Sequence, residues 1–174
     1  MVRIAAWHSV QLFWKVVLDC SQGCGSPMTC QFILPWHFRH GASMRIGAVA
    51  EITRRRGVRL AVDNTFLTPV LQRPLELGAD ISVYSTTKLI EGHSTACGGA
   101  VVSHDAALLE RVRWIRKCTG GIQAPFNAWL TTRGIKTLPL RIREQSRNAR
   151  VIAEWLATNA FVERVNYPGL VGGG

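Results

Sequence analysis

Lys88 follows three hydroxyl side chains, Ser85, Thr86 and Thr87, in the stretch YSTTKLIEGHS at residues 84–94. Such a stretch is either a polar loop closing a strand or an anion site, where hydroxyls hold a charged group while the amine does chemistry beside it. A second polar stretch, AVDNTF at residues 61–66, carries Asp63 at the end of another apolar run. A carboxylate and an amine at the ends of neighbouring buried strands can flank a small planar ligand lying across the sheet edge. Pyridoxal phosphate chemistry wants that pair. Lysine forms a Schiff base with the cofactor, and an acid keeps the pyridine nitrogen protonated so that the ring draws electrons. Ser85 and Thr87 would donate to the phosphate, helped by backbone amides of the loop. Thr86 points the other way along an extended segment and is expected to be structural. Asn64 and Thr65 are expected to shape their loop, His93 to serve a turn rather than proton transfer, and Cys97 to be a packed thiol.

Positioning these groups requires strands that end beside each other, and the apolar pattern supplies them. Ile46, Val49, Ala50 and Thr53 share one face of a short helix that stops at Gly57, and VRLAV (58–62) reads as a buried strand. PVLQRPLELG (69–78) predicts a second short helix, DISVY (80–84) a second strand, and GAVVS (99–103) a third. A helix over 104–118 lines up Leu108, Val112 and Ile115. After the break TGGIQAP come a short helix, PFNAWLTTR, and a longer one from about Thr137, with Pro139 in its first turn. The longer helix carries a stripe of Leu138, Ile142, Ala149, Ile152 and Leu156, and FVERVNY (161–167) is a possible closing strand. Trp129 and Trp155 read as core or interface. Alternating strands and helices predict an α/β domain with a mainly parallel sheet flanked by helices, and such sheets bind ligands at the carboxyl ends of their strands. Asp63 and Lys88 both fall there.

Composition narrows the alternatives. The chain has 174 residues, 47% of them hydrophobic, enough for one ordinary core. No apolar run of about 18 residues is free of charge, since His8, Lys15 and Asp19 interrupt the opening segment, so neither a membrane span nor a secretory leader is expected. The formal net charge is +10, yet the one tight basic run, Arg54 to Arg56, precedes Gly57 at a helix end, where cations meet the helix dipole. Without a zinc-finger or aromatic-basic pattern, that excess favours small anionic ligands over nucleic acid. Five cysteines, an odd number, suggest reduced thiols and a cytoplasmic setting. Cys20 and Cys24 with His37 and His40 only loosely resemble zinc-ligand pairs, the histidines being too closely spaced, and no metal is expected.

From VDNTFLTP onward the sequence resembles the Cys/Met-metabolism family of pyridoxal-phosphate enzymes, which includes cystathionine synthases and lyases, methionine gamma-lyase and O-acylhomoserine sulfhydrylases. The resemblance runs through PLELGAD, STTK and GH, then GGAVV, PFNAWLTTRGIKTL, RNA and VERVNYPGL, covering roughly residues 44–170. Several linked motifs in order are far more specific than a lone S-x-T-K. The resemblance implies Lys88 as the Schiff-base lysine, Asp63 as the partner of the pyridinium nitrogen, and Ser85 and Thr87 as phosphate contacts. It further implies gamma-replacement or elimination on cystathionine, homoserine esters or related sulfur amino acids, and a homotetramer.

By the same resemblance, residues 44–138 are part of the large domain of a fold-type I pyridoxal-phosphate transferase. Residues 139–174 are a linking helix and the truncated start of a C-terminal domain, and residues 1–43 are unassigned. That first segment has one acidic residue, Asp19, but three of the six tryptophans, and the family's phosphate-binding glycine loop and ring-stacking tyrosine are not found in it. The family's substrate-carboxylate arginine lies beyond the end of this chain. The alternative to a working enzyme is therefore a noncatalytic remnant that binds the cofactor weakly or pairs with a full-length homologue.

Overall fold

The computed structural model describes residues 15–19, 29–33, 46–162, 164–165, 167 and 170. Helix α1, Ile46–Arg55, buries Ile46, Ala50 and Thr53, whose spacing puts them on one face. It ends with Arg54 and Arg55 in its last turn and Gly57 in the left-handed region at φ 64°. The chain then enters a strand, Leu60–Asp63, and after a turn of polypeptide another, Ile81–Ser85. Two short strands precede them, β1 (Lys15–Asp19) and β2 (Thr29–Ile33), so these two are β3 and β4, and Gly99–Ser103 is β5. The strand order is β2-β1-β3-β4-β5.

β3 and β4 run parallel, with Ala61 beside Ile81, Val62 beside Ser82 and Asp63 beside Val83. This register sorts the side chains by face. Leu60, Val62, Ser82 and Tyr84 are buried on one side, while Ala61, Asp63, Ile81, Val83 and Ser85 are half-buried on the other. The buried side carries two clusters. Ile46 and Ala50 of α1 pack on Leu60, Val62 and Ala79, and Tyr84 and Ile90 pack on Leu138 and Ile142. Each such aliphatic side chain contributes about 1.5–3 kcal/mol when removed from water.

The α/β class predicted from the sequence is present, with a mixed sheet in place of a mainly parallel one. Only β3 and β4 pair in parallel among the described strands, and β5 runs antiparallel to β4. A parallel neighbour needs a crossover that carries the chain back along the sheet. Residues 86–98 contain no such helix, so the next strand returns from the same end. β1 and β2 fall within residues 1–43, which the sequence left unassigned; KVVLD pairs with TCQFI and with β3.

The helices differ from expectation where proline is involved. The helix predicted over 69–78 is cut to α2, Thr68–Leu71, because Pro74 disfavours a helical conformation for the residue before it and Gln72 is already extended. Helix α3, Ala106–Thr119, starts on Asp105, whose carboxylate accepts from the Leu108 amide at 3.0 Å, and stops at left-handed Gly120. In contrast, the two helices expected on either side of residue 137 are one, α4, Pro125–Ala157, with Pro139 inside it. Proline removes one helical hydrogen bond. Thr131, Gly134, Leu138 and Ile142 are buried along one line on both sides of it, so packing holds the helix through the defect.

Beyond Ile142 that stripe loses its cover. Ala149 and Ile152 are exposed and Ala153 is buried in their place, while Trp129 and Trp155 are more than half exposed and belong to the surface. The described residues among 161–167 form no strand. The cysteine and histidine pairs considered for zinc lie outside the described residues.

Candidate cofactor site

Asp63 ends β3, and its Oδ1 accepts two bonds from Thr65, one from the amide at 3.0 Å and one from the hydroxyl at 2.6 Å. The Thr65 hydroxyl in turn accepts from the Ser85 amide at 2.8 Å, which ties the end of β3 to the end of β4. Asn64 points to the buried side, where its amide nitrogen donates to the carbonyls of Thr68 and Gln72 at 3.0 and 2.8 Å and its oxygen accepts from the Gln72 side chain. Asn64 and Thr65 thus shape the loop, as their residue types suggest. Asp63 keeps Oδ2 outside these bonds on the half-exposed face, with Ser85 two residues beyond its register partner Val83.

Lys88 sits in a π-helical turn, Thr86–Ile90, that follows β4 directly. Lys88 itself leaves helical geometry (φ −85°, ψ −124°) and is exposed. Thr87 has its hydroxyl committed on both sides, donating to the Gly98 carbonyl at 3.2 Å and accepting from the Gly98 amide at 2.9 Å. Donation to a phosphate therefore requires its proton to leave Gly98. Thr86 is buried, and its hydroxyl finds no partner among the described residues.

The turn is continued by Glu91, whose carboxylate is almost wholly buried. It accepts from the amides of His93 and Thr95 at 3.0 and 3.2 Å and from the Thr95 hydroxyl at 2.6 Å. These bonds bracket Ser94, held in the left-handed region at φ 58°. The Thr95 hydroxyl above all, with the two amides and the His93 charge, outweighs burial and lowers the Glu91 pKa from 4.5 to about 2. His93 is half-exposed and faces the Glu91 carbonyl through Nδ1 at 2.6 Å, a turn role.

A cavity of about 460 Å³ opens beside this turn, lined by Lys88, Thr87, Phe66, Ser94, Cys97 and Gln145 among others. Its size is that of a small-molecule site. Asp63 and Ser85 do not line it. The four residues expected to hold the cofactor therefore form two pairs, Lys88 with Thr87 on the cavity wall and Asp63 with Ser85 at the adjoining strand ends, joined through Thr65. An amine, a carboxylate with one open oxygen and hydroxyls on one sheet edge are the donor set that pyridoxal phosphate requires. Cys97 is exposed rather than packed, because it opens onto the cavity beside Lys88. Glu91 and Gln145 escape a reading by motif. Nothing in the residue type of Glu91, an acid in a polar stretch, marks it as buried, and Gln145 lies 57 positions after Lys88.

Residues 42–172 match the family described as Cys/Met metabolism PLP-dependent enzyme. The chain belongs to this family. A probable cystathionine gamma-synthase of Herpetosiphon aurantiacus is 44% identical over 125 residues, 72% of this chain and 39% of that protein. An L-methionine gamma-lyase of Pseudomonas putida is 48% identical over 127 residues, 72% of this chain and 32% of its own. Among solved structures, a cystathionine gamma synthase from Xanthomonas oryzae pv. oryzae, in complex with aminoacrylate and cysteine, superposes with a TM-score of 0.71. It is 45% identical and covers 74% of this chain and 33% of its own. The chain thus spans about a third of the length of these relatives. The family's cofactor is pyridoxal phosphate, and its matched region begins after β1 and β2. No helix among the described residues is long and apolar enough to cross a membrane.

Proposed function

We propose that the chain carries the lysine-bearing part of a trans-sulfuration enzyme's cofactor site, acting by gamma-replacement or elimination on cystathionine or a homoserine ester. The observation that carries the proposal is Lys88 on a cavity wall, one residue from a hydroxyl, at the end of the strand paired in parallel with the strand that ends in Asp63. When bound, pyridoxal phosphate supplies the electron sink that lets a group depart from the substrate's gamma carbon. Lys88 would hold the cofactor through its amine and, with that amine free, would move protons at the substrate's alpha and beta carbons. Asp63, oriented through Oδ1 by Thr65, offers Oδ2 to the pyridine nitrogen. Ser85 and Thr87 hold the phosphate. The half-exposed Asp63 face is the side on which further chain would have to exclude water. A homotetramer and a cytoplasmic setting belong to the same reading, and free Cys97 and Cys118 suit reducing surroundings.

The test is direct. The full chain incubated with pyridoxal phosphate and then borohydride is expected to carry the reduced adduct on Lys88 by peptide mass mapping, and Lys88→Ala to carry none. Absence of an adduct at Lys88 in the unaltered chain would overturn the reading. The split of the four residues into two pairs favours a second reading, a noncatalytic remnant that pairs with a full-length homologue. Turnover of cystathionine or O-succinylhomoserine by the isolated chain rejects the remnant, and turnover gained only with a full-length partner supports it.

A further inference from the structure

The π-helical turn Thr86–Ile90 is too short to satisfy its own last carbonyls, the ordinary condition of a helix end. The Glu91 and Gly92 amides return to Thr86 and Lys88, which leaves the carbonyls of Leu89 and Ile90 facing α4. Arg141 meets them there. Its Nη1 donates to Leu89 at 2.9 Å and its Nη2 to Ile90 at 3.1 Å, across 52 and 51 residues of sequence. The same guanidinium is anchored on its own helix, through Nη2 to the Gly134 carbonyl at 2.8 Å and through Nε to the Thr137 hydroxyl at 3.0 Å.

Two glycines make room for this contact. Gly92 is left-handed at φ 75°, and a methyl group there would overlap Nη1 and lie 2.5 Å from Cζ of Arg141. A methyl group on Gly134 would overlap the Glu91 carbonyl and lie 2.8 Å from its Cα. Lysine cannot replace the fork, because a single ammonium cannot serve carbonyls on two elements with the planar spread of a guanidinium. A cation at the carbonyl end of a helical turn is also favoured by its dipole. One turn further along α4, Gln145 lines the Lys88 cavity, so the helix that supplies the clamp also supplies a wall.

We infer that Arg141 is a positioning residue. By capping the turn Thr86–Ile90 from α4, it fixes where the Lys88 amine meets pyridoxal phosphate, and this rests on the cofactor reading above. Arg141 touches neither cofactor nor substrate in this role.

The test compares the full chain with its Thr137→Val, Arg141→Lys and Arg141→Met variants by two measurements. The first is amide hydrogen exchange without cofactor. Exchange at residues 89–92 is expected to rise about tenfold in Arg141→Lys, more in Arg141→Met and two- to threefold in Thr137→Val, with β3 and β4 unchanged. The second is the rate of borohydride-fixed adduct formation on Lys88 against cofactor concentration. That rate is expected to fall in the same order, with the half-saturating concentration nearly constant because the phosphate contacts remain. Thr137→Val keeps the guanidinium and removes its Nε anchor together with the longer hydroxyl bond to the Gly134 carbonyl at 3.3 Å, so it carries the test if the Arg141 variants do not fold. Variants that form adduct at the wild-type rate, or whose exchange rises equally everywhere, overturn the inference and leave the cofactor reading standing. An unaltered chain that forms no adduct overturns both.

Discussion

The corner at Asp63 and the corner at Lys88 lie side by side at the carboxyl ends of parallel strands, yet they are held by contacts of opposite range. Around Asp63 most side-chain partners are near in sequence, Thr65 on Asp63, and Thr68 and Gln72 on Asn64, with links outward to β4 alone: the Asn64 amide to the Val83 carbonyl, the Asn64 side chain to the Tyr84 hydroxyl and the Ser85 amide to the Thr65 hydroxyl. Around Lys88 the turn is fixed from a distance, by Arg141 on the carbonyls of Leu89 and Ile90 and by Gly134 against the backbone of Glu91. The first corner is pre-shaped by its own loop. The second depends on α4 as well as on the local bonds of Thr87 and Glu91. In the role proposed for Lys88 the amine moves between cofactor and substrate, and ligand-binding segments are drawn from the parts of a fold that open at lower free energy.

The largest break in this comparison is expected from Asn64→Asp. The change keeps the shape but sets a buried carboxylate oxygen against the carbonyls of Thr68 and Gln72, where an amide now donates. An unpaired buried charge or a neutralised acid should cost about 3 kcal/mol in chemical denaturation. Hydrogen exchange at residues 86–95 should keep its wild-type rank relative to the other elements. Preferential loosening of that segment would show that the two corners are not built separately.

Gly134→Ala strikes the other corner from its distant side. The added methyl meets Glu91 backbone atoms, with Cα at 2.8 Å and the carbonyl carbon at 2.9 Å, and no side-chain rotation relieves backbone contacts. Crowding of about 3 kcal/mol against about 1 kcal/mol of gained helix propensity leaves a net loss of about 2 kcal/mol. The same denaturation experiment reads it, and a stabilised variant would refute the close approach.

Glu91→Gln tests the local part of the Lys88 corner and gives it a pH signature. Because the folded carboxyl is held below its ordinary value, its contribution is fully present above pH 4.5 and is lost as the pH falls through about 2. Near neutral pH the variant should be less stable by about 1 kcal/mol, the difference between a charged and a neutral acceptor. Thermal melts from pH 6 downward should show the wild-type advantage shrinking in that window. An advantage that grows on acidification would contradict the hydrogen-bonded carboxylate.

What the sequence revealed follows the same division between near and far. The boundaries of α1, β3, β4, β5 and α3 follow from apolar period and from Gly57, Asp105 and Gly120, all local signals. Asp63, Ser85, Thr87 and Lys88 were legible as candidates because their motifs are contiguous. Their separation into two pairs was not, since it depends on Thr87 turning to Gly98 and on where the π-helical turn aims Lys88. Pro139 misled for the same reason: a local rule places proline in the first turn of a helix, and burial of Thr131, Gly134, Leu138 and Ile142 along one line overrides it. Arg141 was silent because nothing near it in sequence marks a guanidinium whose partners lie 51 and 52 residues away.

Ser94→Gly sharpens the comparison with the smallest effect. Ser94 is held at φ 58° by the bonds that Glu91 accepts from the amides on either side of it, a conformation costing a non-glycine residue on the order of 1 kcal/mol. Glycine removes that cost but adds about 0.5–1 kcal/mol of chain entropy to be lost on folding. The net change should be at most about 0.5 kcal/mol, in favour of the variant. The substitution also deletes a hydroxyl from the cavity wall beside Lys88. Stability and adduct formation can therefore part company: an unchanged rate with slightly raised stability means that Ser94 only completes the turn. A slower rate at equal stability means that the local half of this corner also faces the ligand, and the division between a pre-shaped corner and a docked one would have to be redrawn at residue 94.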